Sequence, residues 1–333
     1  MTWPQVNRWT NHMIDADILV IGAGLAGLSL ARYLVDSHKK VLLLEKSRSP
    51  GGRLSTRRSE HGDFDHGAQY ITSRTPEFTA LVNQLTQSGK SSEWAPDGKD
   101  SARPWWVGQP GMSTLGKALA QGLDIRLGAQ ATRILRQGGG FVVHAKNSDG
   151  TQTHFSASKI VAAIPAPQAH ALLGPLDPAF APLDKVGMAP CWTAMLAFDA
   201  ALDSVPDLIR GQPGDVLGLI VRNGSKPGRT GETYVLHATP EWSKANLQNH
   251  RETVALEMIK AMRETTGLGS NHPEPVHFEL HRWLYALVEK PLGQPFLANS
   301  DNTLFACGDW CIEARAEAAH QSGLALANHI ISL

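Results

Sequence analysis

Asp17-Ile-Leu-Val-Ile-Gly-Ala-Gly-Leu-Ala-Gly-Leu-Ser-Leu-Ala-Arg32 decides how this chain folds. Ile18 to Ile21 form an unbroken apolar, β-favouring run, the composition of a strand covered on both faces. Gly22, Gly24 and Gly27 follow with the GxGxxG spacing, and the chain continues as a helix. Each glycine meets a separate need: Gly22 the tight turn, Gly24 the approach of backbone N–H groups to a pyrophosphate, Gly27 the close seating of helix on strand. The helix start turns unpaired N–H groups and a positive dipole end toward that anion. A second apolar strand, Val41-Leu-Leu-Leu44, comes next. Glu45 stands at its end, 18 residues after Gly27, where an acidic side chain accepts hydrogen bonds from ribose hydroxyls. These four positions together read as a βαβ dinucleotide-binding unit.

Outward from that unit, Lys46-Ser-Arg-Ser-Pro-Gly-Gly-Arg53 is a loop in which Gly51 and Gly52 free the backbone to approach a phosphate and Arg53 supplies a cation. A second anion site is not needed by an ordinary nicotinamide domain; an extended FAD lying across the sheet does meet a second loop. Asp63-Phe-Asp-His-Gly-Ala-Gln-Tyr70 mixes small residues with Asp65 and Gln69, as suits backbone passing close to a flat ring. Residues 76 to 98 begin helically, with Phe78, Leu81, Val82 and Leu85 on one face, and give way to a polar loop around Gly89 to Ser101. Ser113 is read as the N-cap of a short helix to Leu119, followed by strand and turn over Asp124 to Leu135. A meander follows at Gly140–Ala145 and Thr153–Ser156, and a buried strand over Lys159–Pro165.

Pro165 and Pro167 mark a crossover into a long insertion. There, Trp192–Phe198, Val216–Val221 and Tyr234–His237 have strand composition and Arg251–Thr266 is an amphipathic helix, so a sheet backed by a helix is expected. The chain closes with a strand over Thr303–Asp309 and a helix over Glu317–Ile331. Residues 1–13 read as an N-terminal extension, with Met13 an alternative start.

Composition narrows the function. Lys+Arg and Asp+Glu both number 31, so no net basic field gathers nucleic acid or anionic lipid, and neither nucleic acid nor membrane is expected as a partner. The uncharged run Ile18–Ala31 is too short and too glycine-rich to span a bilayer and is no signal peptide. Cys191, Cys307 and Cys311 make no disulfide framework and suit a reducing, cytoplasmic compartment. Without a second pair or spaced histidines they do not signal a metal. No nucleophile elbow is present.

The GxGxxG turn with Glu45, Gly51-Gly52-Arg53, Asp65-His-Gly-Ala-Gln-Tyr70 and Cys307-Gly-Asp-Trp310 are together similar to the FAD-dependent amine oxidase superfamily. Within it the chain most resembles the bacterial renalases. The marks are Trp106–Met112, Arg222-Asn-Gly-Ser-Lys-Pro227, Leu236–Ser243, His281-Arg-Trp-Leu-Tyr285 and Cys307–Cys311.

That resemblance implies an α/β fold: a Rossmann-like FAD-binding domain of the amine oxidase/p-hydroxybenzoate hydroxylase type with an inserted α+β substrate domain. The FAD domain is expected over 14–75, 110–165 and 298–333, and the substrate domain over 76–109 and 166–297. FAD contacts are implied for Gly22, Gly24, Ala26, Gly27, Glu45, Lys46, Gly52, Arg53, Gly67, Ala68, Gln69, Thr132, Gly308, Asp309 and Ala319. At the last helix start relatives commonly carry Gly after the acidic residue, where this chain has Ala318, followed by Ala319-His320. A helix start aimed at the flavin pyrimidine edge would favour the charge of a reduced flavin.

The activity implied is oxidation of the 2- and 6-dihydro isomers of β-NAD(P)H to NAD(P)+, with hydride passing to FAD and dioxygen giving hydrogen peroxide, a metabolite-repair reaction. Its partners are a small-molecule dinucleotide and O2; the oligomeric state is left open. Asn223, His237, Trp283, Tyr70 and Trp106 are candidates for the pocket wall, each with a structural alternative: turn residue, interior histidine or plain core. Two other functions fit the same chain. One is amine oxidation, which usually needs an aromatic pair beside the flavin. The other is binding of flavin or dinucleotide without turnover, with His281–Tyr285 as an interface.

Overall fold

The computed structural model describes residues 15–99, 101–202, 205–268 and 273–333; the extension at 1–13 lies outside them. The apolar run forms a central strand, Ala16–Ile21, hydrogen-bonded in parallel to Val41–Glu45 on one side and Gln152–Ala162 on the other. Leu304–Ala306 and Asp124–Leu127 extend the parallel sheet outward, and Leu297–Ala298 closes one edge antiparallel. Ala129–Gln137 and Gly140–Asn147 form the expected meander and pair onto the first half of Gln152–Ala162.

Both faces of the central strand are buried, which is why its sequence shows no alternation. Ile18 and Val20 pack with the helices Leu25–Asp36 and Ala316–Ile331; Leu19 and Ile21 face the meander side with Leu42, Val143 and Ile160. The two helices touch closely because Gly323 has no side chain: a Cβ there would strike the carbonyl oxygen of Ala26. Residues Ala318 and Ala319 are thus buried beside a contact whose glycine comes four to five residues later.

The insertion is a five-stranded antiparallel sheet ordered Leu208–Arg210, Leu217–Arg222, Glu232–Ala238, Gly187–Phe198, His277–Lys290. The last of these, fourteen residues long, was not among the expected strands. One face is apolar: Trp192, Ala194, Leu196 and Leu236 pack under the helix Arg251–Thr266 through Val254, Met258 and Met262. On the other, Met195, Ala197 and Val235 rest on Phe64. Helix Pro76–Gln87, capped by the Thr75 side chain, buries Phe78, Val82 and Leu85 with Trp94 and Trp105 in a core shared with Leu28 and with Val221 of the five-stranded sheet. The segment between 76 and 109 therefore ties the two sheets together.

Ser113 is not an N-cap. The helix spans Ser113–Ala120 with Met112 in the cap position and no side-chain cap; the Ser113 N–H instead donates to the Thr56 hydroxyl at 3.0 Å. Among the described residues no helix is long and apolar enough to cross a membrane.

Candidate active site

The glycine turn is built as a cofactor cradle. Gly22 sits at φ 103°, and a Cβ there would come within 2.6 Å of the Ala163 oxygen. A Cβ on Gly27 would collide with the Gly22 oxygen, so helix and strand could not approach. Gly24 differs: a Cβ there meets nothing within 4 Å. It is also the N-cap of Leu25–Asp36, with no side-chain cap and no acidic residue in the first turn. Donors without side-chain partners at a positive dipole end, facing open space, are what a pyrophosphate requires.

The Gly51–Gly52 loop lies alongside, with the Gly51 N–H bonded to the Ala23 oxygen at 2.8 Å and Gly24 bridged to Gly51. The Arg53 guanidinium joins Asp309 at 2.6 Å and the Ala286 carbonyl at 2.9 Å, fixing the second loop to the chain's far end. Glu45 is buried, its two oxygens accepting the Ala23 and Ser47 N–H groups at 2.8 Å each. It holds the turn, and a ribose would use its remaining lone pairs. Lys46 is exposed beside it. Gly67 and Ala68 pass close under Arg53, whose oxygen accepts the Ala68 N–H at 2.9 Å and leaves no room for a Cβ on Gly67.

The Gly308 N–H is held by the Ser322 hydroxyl at 2.9 Å, and Ala319 is buried in the helix start. That start is fixed by Glu317, whose oxygen accepts from the Arg74 and Thr75 N–H groups at 2.8 and 2.7 Å. Thr132 is exposed in the meander beside a register shift, its hydroxyl donating to the His144 oxygen. These features fit FAD: donors at the helix start, open space before Gly24, and cations in the second loop.

Beneath the third loop, the stretch Asp63–Tyr70, lies an ionic knot that the sequence did not announce. Asp65 is fully buried and carries Lys226 at 3.2 Å and Arg229 at 2.5 Å on one oxygen, and Thr56 Oγ1 at 2.7 Å and the Met112 N–H at 2.8 Å on the other. Burial alone would raise its pKa; the two cations and two donors outweigh it and hold Asp65 below the usual carboxylate range. The Lys226 ammonium donates also to Gln69 Oε1 at 2.9 Å and Asn223 Oδ1 at 3.0 Å. Burial brings its pKa down to about 8, against the pull of Asp65 and with the help of Arg229. Two cations on one anion leave the knot with a net positive charge below that pH.

Asn223 is spent within this knot, its amide donating to the Asp63 oxygen at 2.7 Å and its oxygen accepting from Lys226 and the Asp65 N–H. It pins the third loop to the inserted sheet and presents no free polar atom to a pocket.

Above the knot, the inserted sheet turns a polar aromatic face toward the same loop. His281 and His237 both lie opposite Thr193, and Trp283 lies opposite Cys191, so all three share the face that rests on Phe64. The Trp283 indole donates to the His66 carbonyl at 2.9 Å, and its ring stacks on the His66 ring at 5.3 Å. His281 meets both edge-on, at 5.1 and 4.4 Å. His237 Nε2 lies 3.3 Å from Gln69 Nε2.

Every imidazole here is kept neutral. Burial, then His281 and Arg57, lower His66 to about 3; burial lowers His237 and His281 to about 4, the latter helped by Arg57 and Arg251. His66 Nδ1 is buried without a partner.

Of the expected wall residues, the structure brings His237 and Trp283 together around the third loop. Tyr70 stands to one side, stacked at 3.8 Å not on Trp106 but on the buried Trp105, its hydroxyl accepting from Arg210 at 2.7 Å. Trp106 is half-buried and pairs through its backbone with Ile71. His66, His281, Lys226 and Arg229 were missed. The period-two spacing of His281 and Trp283 was the available signal for a shared strand face, and Lys226 lay unweighed inside the Arg222–Pro227 motif.

A parallel sheet with a glycine-turn helix, joined to an antiparallel sheet that meets its third loop through an imidazole and indole cluster, is the architecture of a dinucleotide-binding protein. Residues 20–85 match the model of NAD(P)-binding Rossmann-like domains, and residues 97–331 match that of flavin containing amine oxidoreductases. The second match spans most of the chain: the protein belongs to the flavin-containing amine oxidoreductase family, and its cofactor is FAD.

Putrescine oxidase of Kocuria rosea is 33% identical over 128 residues, covering 35% of this chain and 27% of that protein. Flavin-containing amine oxidase A of Bos taurus is 40% identical over 70 residues, 21% of this chain and 13% of that one. These stretches cover less than a third of the relatives' own length. A solved structure of putrescine oxidase bound to putrescine superposes with a TM-score of 0.69 over 96% of this chain and 99% of its own. One described as a protoporphyrinogen oxidase from Exiguobacterium sp. 255-15 does so at 0.74 over 96% and 100%. At 14% and 13% identity these likenesses speak for the fold alone.

Proposed function

We propose that the protein oxidises the 2- and 6-dihydro isomers of β-NAD(P)H to NAD(P)+, with dioxygen as the final acceptor and hydrogen peroxide as the second product. FAD, when bound, supplies the hydride acceptor and the route of electrons to dioxygen. In this reading residues 14–75, 110–165 and 298–333 hold FAD, and residues 76–109 and 166–297 shape the donor side.

The observation that carries the proposal is the neutrality of the lining around His66, His237, His281 and Trp283. A dihydropyridine is flat and uncharged, and on giving up hydride it becomes aromatic without losing a proton. It needs a planar slot and hydrogen-bonding partners, and no general base. Imidazoles held neutral and an indole offer that slot.

A protonated amine would look for a carboxylate. Asp65 is already bound by two cations and Glu279 by Arg57. Amine oxidation remains the second reading, because the family and the putrescine oxidase likeness favour it. Three buried, unpaired cysteines accord with action in the cytoplasm.

Oxygen uptake by the FAD-loaded protein tests the proposal. The 2- or 6-dihydro isomer is expected to drive uptake with one peroxide formed per donor, and ordinary 4-dihydro-NAD is not. Uptake with amines alone would replace the reading, and absence of uptake with every donor would leave a protein that binds flavin without turnover.

A further inference from the structure

Gln69, buried between the ionic knot and the aromatic lining, has its amide oriented from both ends. Its Oε1 faces the Lys226 ammonium at 2.9 Å, a group that can only donate. Its Nε2 faces the Asp65 carbonyl and, at 3.1 Å, the Gly67 carbonyl, groups that can only accept. The reverse orientation would set oxygen against two oxygens and N–H against an ammonium. The NH2 end therefore points toward the lining, where it meets His237 Nε2 at 3.3 Å.

That contact fixes the form of the ring. An amide nitrogen donates and does not accept, so a proton on His237 Nε2 would aim donor at donor. Nε2 must offer its lone pair, and the ring's one proton lies on Nδ1. With Nε2 taken, Nδ1 is the atom left for the hydrogen bond between the ring and the His66 carbonyl, the oxygen that also accepts the Trp283 indole at 2.9 Å. Its two lone pairs serve both rings. The titratable groups facing His237 are His66, Lys226 and, across Thr193, His281; none is an anion. Asp65, behind Gln69, turns its carboxylate to Lys226 and Arg229.

Resting on the proposed function for the role of the lining, we infer that Gln69 is a positioning residue: its amide, oriented by Lys226, holds His237 as a neutral imidazole protonated on Nδ1 and seated beside Trp283 on one carbonyl. Both ends of the Gln69 side chain are spent in this way, which leaves the FAD contact implied for residue 69 to its backbone. The knot thus reaches the lining through a hydrogen-bonded amide, and no ionic group of the knot touches the ring itself.

The test is a long-range proton–nitrogen correlation spectrum of FAD-loaded protein carrying nitrogen-15 histidine, recorded from about pH 5.5 to about pH 9. The His237 signals are assigned by their loss in His237→Asn. The wild-type ring is expected to stay neutral throughout, with the proton on Nδ1 and Nε2 accepting. Gln69→Glu puts an acceptor where the donor was and is expected to bring a proton onto Nε2, with FAD content measured alongside. A proton on Nε2 in the wild type would overturn the inference, and so would a Gln69→Glu protein that keeps both its FAD and the wild-type His237 signals. Where Gln69→Glu does not fold, the wild-type spectrum still decides. Turnover does not enter this readout: the expected wild-type ring in a protein that oxidises none of the dihydro isomers would end the proposed reaction and leave Gln69 as the residue that sets the form of His237.

Discussion

The glycine turn and the Asp65 knot are both essential-looking, and they are made in opposite ways. The turn is local: six residues, Gly22 to Gly27, create a helix start and the space before it. The knot is assembled from residues 161 and 164 positions apart, brought together only when the inserted sheet closes on the third loop. The turn spends glycine to admit someone else's charge; the knot buries three charges of its own, one more positive than negative. The cofactor's address is therefore written in short-range chemistry, whereas the buried charge under the inserted sheet depends on tertiary closure.

The contrast is broken most severely at Asp65. Asp65→Asn leaves Lys226 and Arg229 buried together without an anion, and breaking a buried pair in this way costs about 3–5 kcal/mol. The thermal midpoint is expected to fall by about 10 °C, or folded protein to fail to accumulate; a shift within 2 °C of wild type, roughly the ordinary surface-mutation range, would show that the knot is not structural. Gly27→Ala attacks the local side. Its Cβ meets the Gly22 oxygen, so a loss of about 1–3 kcal/mol and of bound flavin is expected by denaturation and absorbance.

Arg53→Ala sits between the two, since it removes the link to Asp309 as well as a cation from the second loop. FAD occupancy in purified protein is expected to drop several-fold, and full occupancy would contradict its role. A subtler effect separates the knot from its surroundings by pH. Lys226 releases its proton near pH 8 in the folded protein and near 10.5 when unfolded, so the unfolded state holds more protons in between and this residue's contribution to stability rises with pH. The thermal midpoint of wild type minus that of Lys226→Met is expected to increase from pH 7 to pH 9.5. The smallest change in stability comes from His237→Ala, which is expected to slow anaerobic flavin reduction while FAD stays bound.

Legibility in the sequence follows the same division. The parallel core, the meander, the helix over Arg251–Thr266 and the three inner strands of the insertion could be read because each carries its own period or composition. The long edge strand could not, since its mixture of histidine, arginine, tryptophan and glutamate reflects two differently used faces and an exposed edge. Asn223 looked like a turn residue and a pocket candidate; its amide is consumed by Asp63, Asp65 and Lys226, contacts no local pattern could reveal. Trp105 and Trp106 are adjacent, and only the register of the short strand at Trp106–Gly108 decides which ring reaches Tyr70. Ser113 had the right composition for a cap, but the Thr56 hydroxyl bonded to its N–H comes from 57 residues away.

The most direct test of the account is anaerobic reduction of the bound flavin, followed by absorbance, with 2-, 4- and 6-dihydro-NAD and putrescine in separate cuvettes. A neutral lining backed by a net positive knot predicts rapid bleaching by the 2- or 6-isomer and none by putrescine. Bleaching by putrescine with all three dihydro isomers inert would contradict it.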